Sequence, residues 1–541
     1  MTHPGLVALA MVAVVWTVQY LVGAFAAERG LHSDEAAHFM NGLVLRDYLR
    51  EGLGQSPVAF ARDYYQHYPK IAPFMWPPLF HGVLGLALLP GWPPGPVAIF
   101  VVGCFTAWTA WRLYLVTNTF AAVPVALGVV GFFLATPIVI NLSSSVMIDI
   151  AIAACCLEAA YWLGRFAETG STRIAAVFGV MAACACLAKG NGLSAVLAPG
   201  AFLLLTGRFD LLRKPGLYVA AIIVVLLAAP PLALAYYLDA SLGDFGPVPL
   251  SLVWERLQFY SGHVWHQLGS APVLFAAIGT AAVVTKRPWL SAHARHQASA
   301  LIAMVVGAFV FHLWNPHIQS SGRYITMALA PILGLSALGV MAVTVNLPAR
   351  RLRWSLQLLA FAVMAVAHFE HGPDLFAQAP LGYRESVRWI QQQGSLAGQR
   401  LLVVSNEQGE GAGVVEVALL ELTPRPMVLR GSKVLANDDW MGRDRTLIHP
   451  TAAALLDDLE ALHVDYVILD GGPEAQALAY WAQTREALTT APSRVDAVHH
   501  LTPAPGGPLR PLEIYRLRRH APGPPRVLEL TGTSQMVGGG R

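Results

Sequence analysis

Two adjacent acidic residues, Asp34 and Glu35, follow the first apolar run of the chain, residues 5–27. Charged side chains beside a bilayer are costly unless they are solvated, paired or functional. Both are candidate catalytic residues, because a carboxylate here can accept the proton of an attacking hydroxyl or help to hold a cation. The structural alternative is a helix cap, with Ser33 or Asp34 starting a helix that runs to Arg50 and Glu35 in its first turn. This alternative explains one acid well, but not both.

A lysine and a histidine lie further along the same polar segment. Lys70 stands between an aromatic stretch, residues 64–68, and a proline-rich stretch, residues 73–78. The prolines restrict the backbone, and a cation fixed near a membrane surface suits a phosphate. The alternative is a lysine that extends from an interfacial aromatic belt into water. His67 is a candidate for positioning an acceptor or a cation.

Three later positions place charge at the edge of an apolar run: Asp149, Lys189 and the pair Arg323 and Tyr324. An ionisable group at the end of a membrane-spanning run is a candidate functional residue. The alternatives are a helix-start acid stabilised by the helix dipole for Asp149 and a polar hairpin turn for Lys189. Acids and cations together describe a site that activates a nucleophile and holds an anion.

The composition indicates a membrane protein. Of the 541 residues, 55% are hydrophobic and only 13% are charged, about half of the charge that soluble proteins carry. The net charge of +3 is small and implies no nucleic-acid partner. The five cysteines all lie in apolar runs without metal-ligand spacing, which indicates packing residues.

Apolar runs long enough to cross about 30 Å of hydrocarbon predict about eleven spans. They are 5–27, 95–112, 121–140, 146–164, 173–188, 191–206, 215–237, 271–285, 299–314, 324–345 and 354–368. The run 76–89 is short and flanked by prolines, which favours an interfacial or re-entrant helix. Residues 1–27 resemble a signal peptide at their end, but they lack an N-terminal Lys or Arg and form a long run, which favours a span.

The distribution of Lys and Arg predicts the orientation. With a cytoplasmic N-terminus, every cytoplasmic loop is basic, the first of them through Arg112. The segment 28–93 and the positions Asp149, Lys189 and Arg323 then share the outer side. The acid pair, Asp149 and the basic positions Lys70, Lys189 and Arg323 are therefore predicted on one face of the membrane.

The end of the chain has the composition of a soluble domain. Apolar stretches at 401–404 and 464–469 predict buried strands, and they alternate with helical patterns near 411–422, 451–463 and 473–488. This alternation predicts a small α/β domain over residues 371–520, outside the membrane. Residues 521–541 are rich in Gly and Pro and predict a disordered tail. The predicted fold class is a polytopic all-α membrane domain, residues 1–370, followed by this α/β domain.

The ordered motifs resemble the GT-C glycosyltransferases over roughly residues 1–345. The similar groups are the protein mannosyltransferases, the aminoarabinose-transferase-like (ArnT-like) enzymes and the RgtA/B/C/D-like bacterial enzymes. The motifs are Asp34-Glu35 after the first span, Lys70 before Pro77-Pro78-Leu79, Met147 and Asp149, Leu187-Ala188-Lys189-Gly190, and Arg323-Tyr324. In this sequence the insert after Lys70 is longer than in the relatives, and serines precede Asp149 where relatives often carry another acid.

The resemblance implies a polyprenyl-phosphate sugar donor, a lipid, glycan or protein hydroxyl as acceptor, and inversion at the anomeric carbon. By this analogy Asp34 accepts or orients the acceptor proton. Lys70, Lys189 and Arg323, with Tyr324, bind the leaving phosphate. Asp149, and with it Glu35, positions the acceptor or a divalent cation. The resemblance also implies a bacterial inner membrane.

Two other classes of protein are compatible with a polytopic chain. A transporter or lipid flippase is expected to show paired repeats and mid-membrane charges, and the sequence shows neither. A non-catalytic scaffold would use its C-terminal domain for binding and would be insensitive to replacement of Asp34.

Overall fold

The computed structural model describes residues 4–72, 75–238, 247–315, 320–347, 349–368, 381–437, 445–501, 510–518 and 524–526. Two compact units are present. The first comprises Met1–Leu21, Trp76–Phe80 and Ile99–Phe376, and the second comprises Val22–Met75, His81–Ala98 and Ala377–Arg541. The predicted domain boundary at residue 371 and nearly all of the predicted tail lie outside the described residues.

Helices account for most of the chain up to residue 368. In order they are α1 (Pro4–Leu21), α2 (Glu35–Asp47), α3 (Pro57–His67), α4 (Leu79–Leu88), α5 (Pro94–Thr117), α6 (Val123–Ala135), α7 (Pro137–Ser143), α8 (Asp149–Thr169), α9 (Thr172–Ala188), α10 (Ser194–Thr206), α11 (Pro215–Leu238), α12 (Leu250–Leu268), α13 (Ser270–Val284), α14 (Ala292–Trp314), α15 (Thr326–Thr344) and α16 (Arg350–His368). A π-helical turn, Tyr48–Gly52, continues α2, and 3₁₀ turns lie at Gly190–Leu193, Phe209–Arg213 and Gly322–Ile325.

The helices confirm an integral membrane protein but correct the predicted number of spans. Within the described ranges, five helices are long and apolar enough to cross a bilayer, or up to seven if each bent pair counts as one. The predicted run 121–140 breaks before Pro137 into α6 and α7, which are bent by 66°. Helices α9 and α10 are shorter than a full span because the turn at 190–193 separates them. Helix α4 has ten residues, about 15 Å, and cannot span.

Burial in the first unit separates central helices from peripheral ones. The apolar windows of α15 and α8 are 89% and 83% buried, whereas that of α11 is 11% buried. Glycines allow α13 and α15 to touch along their backbones, because a Cβ at Gly279 would overlap the Leu335 carbonyl and one at Gly339 would overlap that of Phe275. Such close contact replaces the hydrophobic driving force that helices lack in lipid.

A buried ion pair joins α5 and α8. Arg112 contacts both carboxylate oxygens of Glu158, and the two side chains are 8% and 6% exposed. Glu158 also accepts hydrogen bonds from the indoles of Trp108 (3.1 Å) and Trp162 (2.8 Å). The guanidinium of Arg112 lies 4.1 Å from the centre of the Tyr161 ring. Arg112 was predicted in a cytoplasmic loop; it lies inside a helix, where its pairing with Glu158 makes burial possible.

The second unit contains a five-stranded sheet. Its strands are β1 (Arg400–Val404), β2 (Met427–Arg430), β5 (Tyr466–Asp470), β6 (Val495–Leu501) and β7 (Leu512–Leu517), and the short strands β3 (Ala436–Asn437) and β4 (Thr446–Leu447) pair separately. The order is β2-β1-β5-β7-β6, with β2, β1 and β5 parallel and β7 antiparallel to both of its neighbours. The helices that accompany it are α17 (Tyr383–Gln393), α18 (Glu407–Ala418), α19 (Gly431–Val434), α20 (Ala452–Ala461), α21 (Pro473–Gln476) and α22 (Ala479–Thr490). The predicted α/β character and both predicted buried strands are confirmed.

The polar segment after α1 belongs to the same compact unit as this sheet. Helix α18, which follows β1, packs against α2. Leu402, Val404, Val467 and Leu469 form part of the core on the central parallel strands. The sheet therefore presents the start of α18 to the segment that carries the acid pair.

Candidate active site

Asp34 precedes α2, but its carboxylate does not cap that helix. Its backbone is helical (φ −84°, ψ −17°), and its side chain makes no capping hydrogen bond. The backbone carbonyl of Asp34 accepts the N–H of His38 at 2.9 Å. The capping role considered for Asp34 in the sequence is therefore not the role of its side chain.

Glu35 is fully buried and fixes the turn before α2. Its Oε2 accepts the backbone N–H of Leu31 at 2.9 Å, and its Oε1 lies 3.7 Å from Nη1 of Arg29. Both partners belong to the turn that leads to Asp34. Glu35 therefore holds the turn that leads to Asp34, and its catalytic role stays a prediction.

Lys70 is buried and paired with a carboxylate from α18. Its Nζ lies 3.0 Å from Oε1 of Glu407, and the same oxygen lies 3.9 Å from Nη2 of Arg430. Burial lowers the pKa of Lys70 and the charge of Arg430 adds to this effect, whereas Glu407 and Asp34 oppose it. Asp34 and Lys70, both predicted from the sequence, thus belong to one electrostatic cluster.

The backbone around Lys70 is held on both sides. Arg430 donates a hydrogen bond to the carbonyl of Pro69 at 3.3 Å, and Asn41 exchanges two hydrogen bonds with Ala72, at 2.9 and 3.2 Å. These contacts, together with the ion pair to Glu407, fix the lysine in place without relying on the prolines that follow it.

Helix α18 approaches this segment closely because of a glycine. A Cβ at Gly411 would lie 2.8 Å from that of Ala36 and 3.2 Å from Cε of Lys70. Glu410, next to it, is fully buried and accepts hydrogen bonds from the N–H (2.7 Å) and Oγ (2.5 Å) of Ser432 and from Nε of Arg430 (3.0 Å). Glu410 is therefore held in place as the buried counterion of Arg430.

Sequence reasoning missed Glu407, Glu410 and Arg430. A usable signal was present, because an acidic, glycine-rich run at 407–413 follows directly after a predicted strand. Glycines at such a position indicate close approach of another backbone or of a ligand. What the run does not reveal is that its neighbour is Lys70.

A second cluster, in the first unit, contains all of the remaining predicted residues except His67. Asp149 is the first residue of α8, and Lys189 follows α9 in an extended conformation (φ −164°, ψ 155°). Arg323 and Tyr324 lie on the 3₁₀ turn before α15. Lys189 Nζ lies 3.7 Å from Asp149 Oδ1 and 4.6 Å from the centre of the Tyr324 ring, and the Arg323 guanidinium lies 5.3 Å from that centre.

Several buried polar atoms of this cluster make no hydrogen bond within the described ranges. They are both carboxylate oxygens of Asp149, Nζ of Lys189, Nδ2 of Asn191 and Nε2 of His312. His312 was not predicted; its ring stacks on Tyr324 with centroids 6.3 Å apart. Buried polar atoms without hydrogen-bond partners are costly, so this cluster is a candidate site for a polar ligand.

His67 does not join either cluster through the contacts it makes. It ends α3, and its Nδ1 lies 3.0 Å from the carbonyl oxygen of Asp63 in the preceding turn. Among the described residues no group of three or more His, Cys, Asp or Glu side chains is arranged to hold a metal ion. The divalent cation considered from the sequence has no ligand cluster to support it in those ranges.

The buried carboxylate of Glu28 holds the start of α17. It accepts hydrogen bonds from the N–H groups of Leu381 (3.0 Å), Tyr383 (3.1 Å) and Arg384 (2.9 Å). Burial raises the pKa of Glu28 from 4.5 to about 7, although the hydrogen bond from Arg384 favours the ionised form. Native Glu28 therefore keeps its proton at pH values where the unfolded chain has lost it.

We expect the free energy of unfolding to fall as pH rises from about 4.5 to about 7, and to change no further through Glu28 above that range. The expected loss is at most roughly 3 kcal/mol, from 1.36 kcal/mol for each pH unit. Glu28→Gln imitates the protonated form and should remove this slope, as measured by denaturant unfolding of the purified protein between pH 5 and 8. Glu51→Gln, at an exposed position, should keep the slope; a wild-type stability that rises over this range contradicts the prediction.

Comparison with known proteins gives a family match and several similar structures. Residues 91–234 match the family model for dolichyl-phosphate-mannose-protein mannosyltransferases. The chain is similar to ArnT from Cupriavidus metallidurans bound to undecaprenyl phosphate, with 12% identity and a TM-score of 0.54, over 94% of this chain and 97% of that chain. It is also similar to the apo oligosaccharyltransferase of Archaeoglobus fulgidus, with 10% identity and a TM-score of 0.54, over 95% of this chain and 74% of that chain.

A third similar structure is the oligosaccharyltransferase AglB of the same archaeon, in complex with an inhibitory peptide and a dolichol-phosphate. Its identity is 11% and its TM-score is 0.52, over 92% of this chain and 73% of that chain. Comparison with curated protein sequences gives no match.

The family model matches about a quarter of the chain, residues 91–234, and the similar structures extend the likeness to nearly all of it. The resemblance predicted from the sequence motifs is confirmed at the level of the fold. This chain has an ArnT-like fold, with apolar helices and a C-terminal part that contains a small sheet.

Proposed function

We propose that this protein is a membrane glycosyltransferase that moves a sugar from a polyprenyl-phosphate donor to a hydroxyl of a lipid, glycan or protein acceptor. The observation that carries the proposal is the buried ammonium of Lys189, which lies beside Asp149 and the ring of Tyr324 and makes no hydrogen bond in the described ranges. The GT-C fold supports the same class of reaction.

A buried ammonium carries three N–H donors, and leaving them without acceptors is costly. A phosphate supplies several acceptor oxygens for these N–H donors. Arg323, on the other side of the same aromatic ring, adds a second cation for such a group.

The proposed reaction is a single displacement with inversion. The acceptor oxygen attacks the anomeric carbon, and the bond from that carbon to the phosphate oxygen breaks, leaving its electron pair on the phosphate. Asp34 accepts the proton of the acceptor hydroxyl. Lys70, Lys189 and Arg323, with Tyr324, stabilise charge on the leaving phosphate, and Asp149 positions the acceptor.

The proposed setting is a bacterial inner membrane, with the N-terminus in the cytoplasm and the C-terminal domain outside. The basic residues of the predicted cytoplasmic loops, apart from Arg112 inside α5, support this orientation. Polyprenyl donors are anchored in the bilayer, which fits a catalyst built from apolar helices.

Transfer of labelled sugar from undecaprenyl-phosphate donors to a membrane lipid extract tests the proposal. Purified wild-type protein in lipid nanodiscs should label an acceptor with lipid-phosphate donors and not with nucleotide sugars. Donor binding without transfer, even with varied acceptors and added cations, would instead support the flippase or the scaffold.

Lys189→Met is expected to weaken binding of undecaprenyl phosphate roughly 10- to 150-fold, the range for losing a charge-assisted hydrogen bond of 1.5–3 kcal/mol. Binding can be measured by titration in nanodiscs. The single variant leaves Asp149 buried without its cation, so the neutral pair Asp149→Asn/Lys189→Met serves as a second variant and should also bind weakly. Lys214→Met, at an exposed position, is the charge control. Wild-type affinity in the neutral pair would contradict the role of Lys189.

A further inference from the structure

The counterion of Lys70 comes from a distant part of the chain. Glu407 Oε1 lies 3.0 Å from Lys70 Nζ, and the two side chains are 48% and 5% exposed. Glu407 lies in the first turn of α18. The side chain of Lys70 is therefore buried, whereas the Glu407 carboxylate that pairs with it is half exposed at the surface of this unit.

The other charges of the cluster have fixed partners. Arg430 and the fully buried Glu410 form an ion pair at 3.0 Å, and Ser432 supplies two further hydrogen bonds to Glu410. Moving Glu410 away would leave Arg430 buried without a counterion, and a buried unpaired charge is costly. Glu407 has no such restraint, since its two cation contacts are those to Lys70 and to Arg430 at 3.9 Å.

A phosphate and the Glu407 carboxylate would compete for the same ammonium. Both are oxygen anions that accept hydrogen bonds from Lys70, and like charges held together in a poorly solvated place repel each other. Exchanging one anion for the other keeps Lys70 neutralised throughout. The half-exposed side chain of Glu407 can turn towards water when it is replaced.

We infer that Glu407 is a built-in occupant of the phosphate position on Lys70, which the donor phosphate must displace before transfer. This inference rests on the proposed function, because it takes Lys70 as a phosphate ligand. It gives the C-terminal domain a direct part in donor binding: the Glu407 carboxylate neutralises Lys70 when no donor is bound, and it lowers the affinity for every anion that must displace it.

Glu407→Gln should tighten binding of undecaprenyl phosphate about tenfold, because the amide keeps the size of the side chain but removes its competing charge. Titration of purified protein in nanodiscs with undecaprenyl phosphate measures the effect. A merely structural contact would not give tighter binding when it is lost.

Glu421→Gln is a closely matched control. Glu421 also pairs across the same unit with a buried cation of the first polar segment, Arg46, at 2.7 Å, with exposures of 52% and 5%. Its replacement removes the same charge and a similar ion pair, but away from Lys70. The affinity of the Glu421→Gln protein for undecaprenyl phosphate should equal that of the wild type.

Unchanged or weaker binding in Glu407→Gln, beside measurable wild-type binding, overturns this inference and leaves the proposed function standing. Absence of binding in every protein, wild type included, overturns both. If Glu407→Gln does not fold, Glu407→Asp provides the same test, because the shorter side chain keeps its charge but withdraws from Lys70; binding should tighten by a smaller factor, and unchanged affinity overturns the inference.

Discussion

Asp34→Asn is expected to reduce sugar transfer by roughly 10²- to 10⁴-fold, the contribution typical of a positioned general base. An amide has nearly the size of the carboxylate but cannot accept the proton of the acceptor hydroxyl. The Asp34 side chain makes no capping hydrogen bond to α2, so its replacement by an amide should leave that helix intact. The initial rate of transfer from an undecaprenyl-phosphate donor is the measurement.

The loss should appear in kcat, while binding of undecaprenyl phosphate stays within about threefold of the wild type. Asp63→Asn is the control, since Asp63 lies in the same unit with a side chain that is 60% exposed. It should transfer sugar at the wild-type rate. An Asp34→Asn protein that keeps a third or more of wild-type turnover would remove Asp34 from the reaction.

Glu158→Gln is expected to lower the free energy of unfolding by about 3–5 kcal/mol, because it leaves Arg112 buried without a compensating charge. The two indole donors, Trp108 and Trp162, can still find a hydrogen-bond acceptor in the amide. The cost should therefore come from the guanidinium. Denaturant unfolding in mixed micelles is the measurement.

The double variant Arg112→Gln/Glu158→Gln tests this explanation. Both side chains are then neutral and can still form hydrogen bonds, so most of the lost stability should return. A single Glu158→Gln variant within about 1 kcal/mol of the wild type would mean that water reaches the Arg112 guanidinium. Neither Arg112 nor Glu158 is a proposed donor ligand, so neither variant should change the affinity for undecaprenyl phosphate.

The second cluster was largely predictable from the sequence. Asp149, Lys189, Arg323 and Tyr324 each interrupt or border an apolar run, where a charge is costly without a purpose. The structure joins all four, although Asp149 and Arg323 are far apart in the chain. The α/β domain was predictable for a similar reason, because the period of hydrophobicity changes between its strands and helices.

Other features could not be predicted because they depend on how segments pack. An apolar run does not reveal where a helix bends or breaks, as between α6 and α7 or between α9 and α10. The number of full spans predicted from such runs is therefore too high. Arg112 looks like a loop residue until Glu158 on another helix is brought beside it. Glu407, the partner of Lys70, lies in a domain whose sequence does not reveal that it packs on the first polar segment.

The pairing of Lys70 with Glu407 also determines when this part of the protein can mature during biosynthesis. The two residues are separated by 337 positions. At 5–20 residues per second, roughly 20 to 70 seconds pass between their synthesis. The segment that bears Asp34 must therefore wait until α18 has been synthesised before Lys70 gains its partner. A nascent chain released before α18 would contain the apolar helices but not a completed Lys70 cluster.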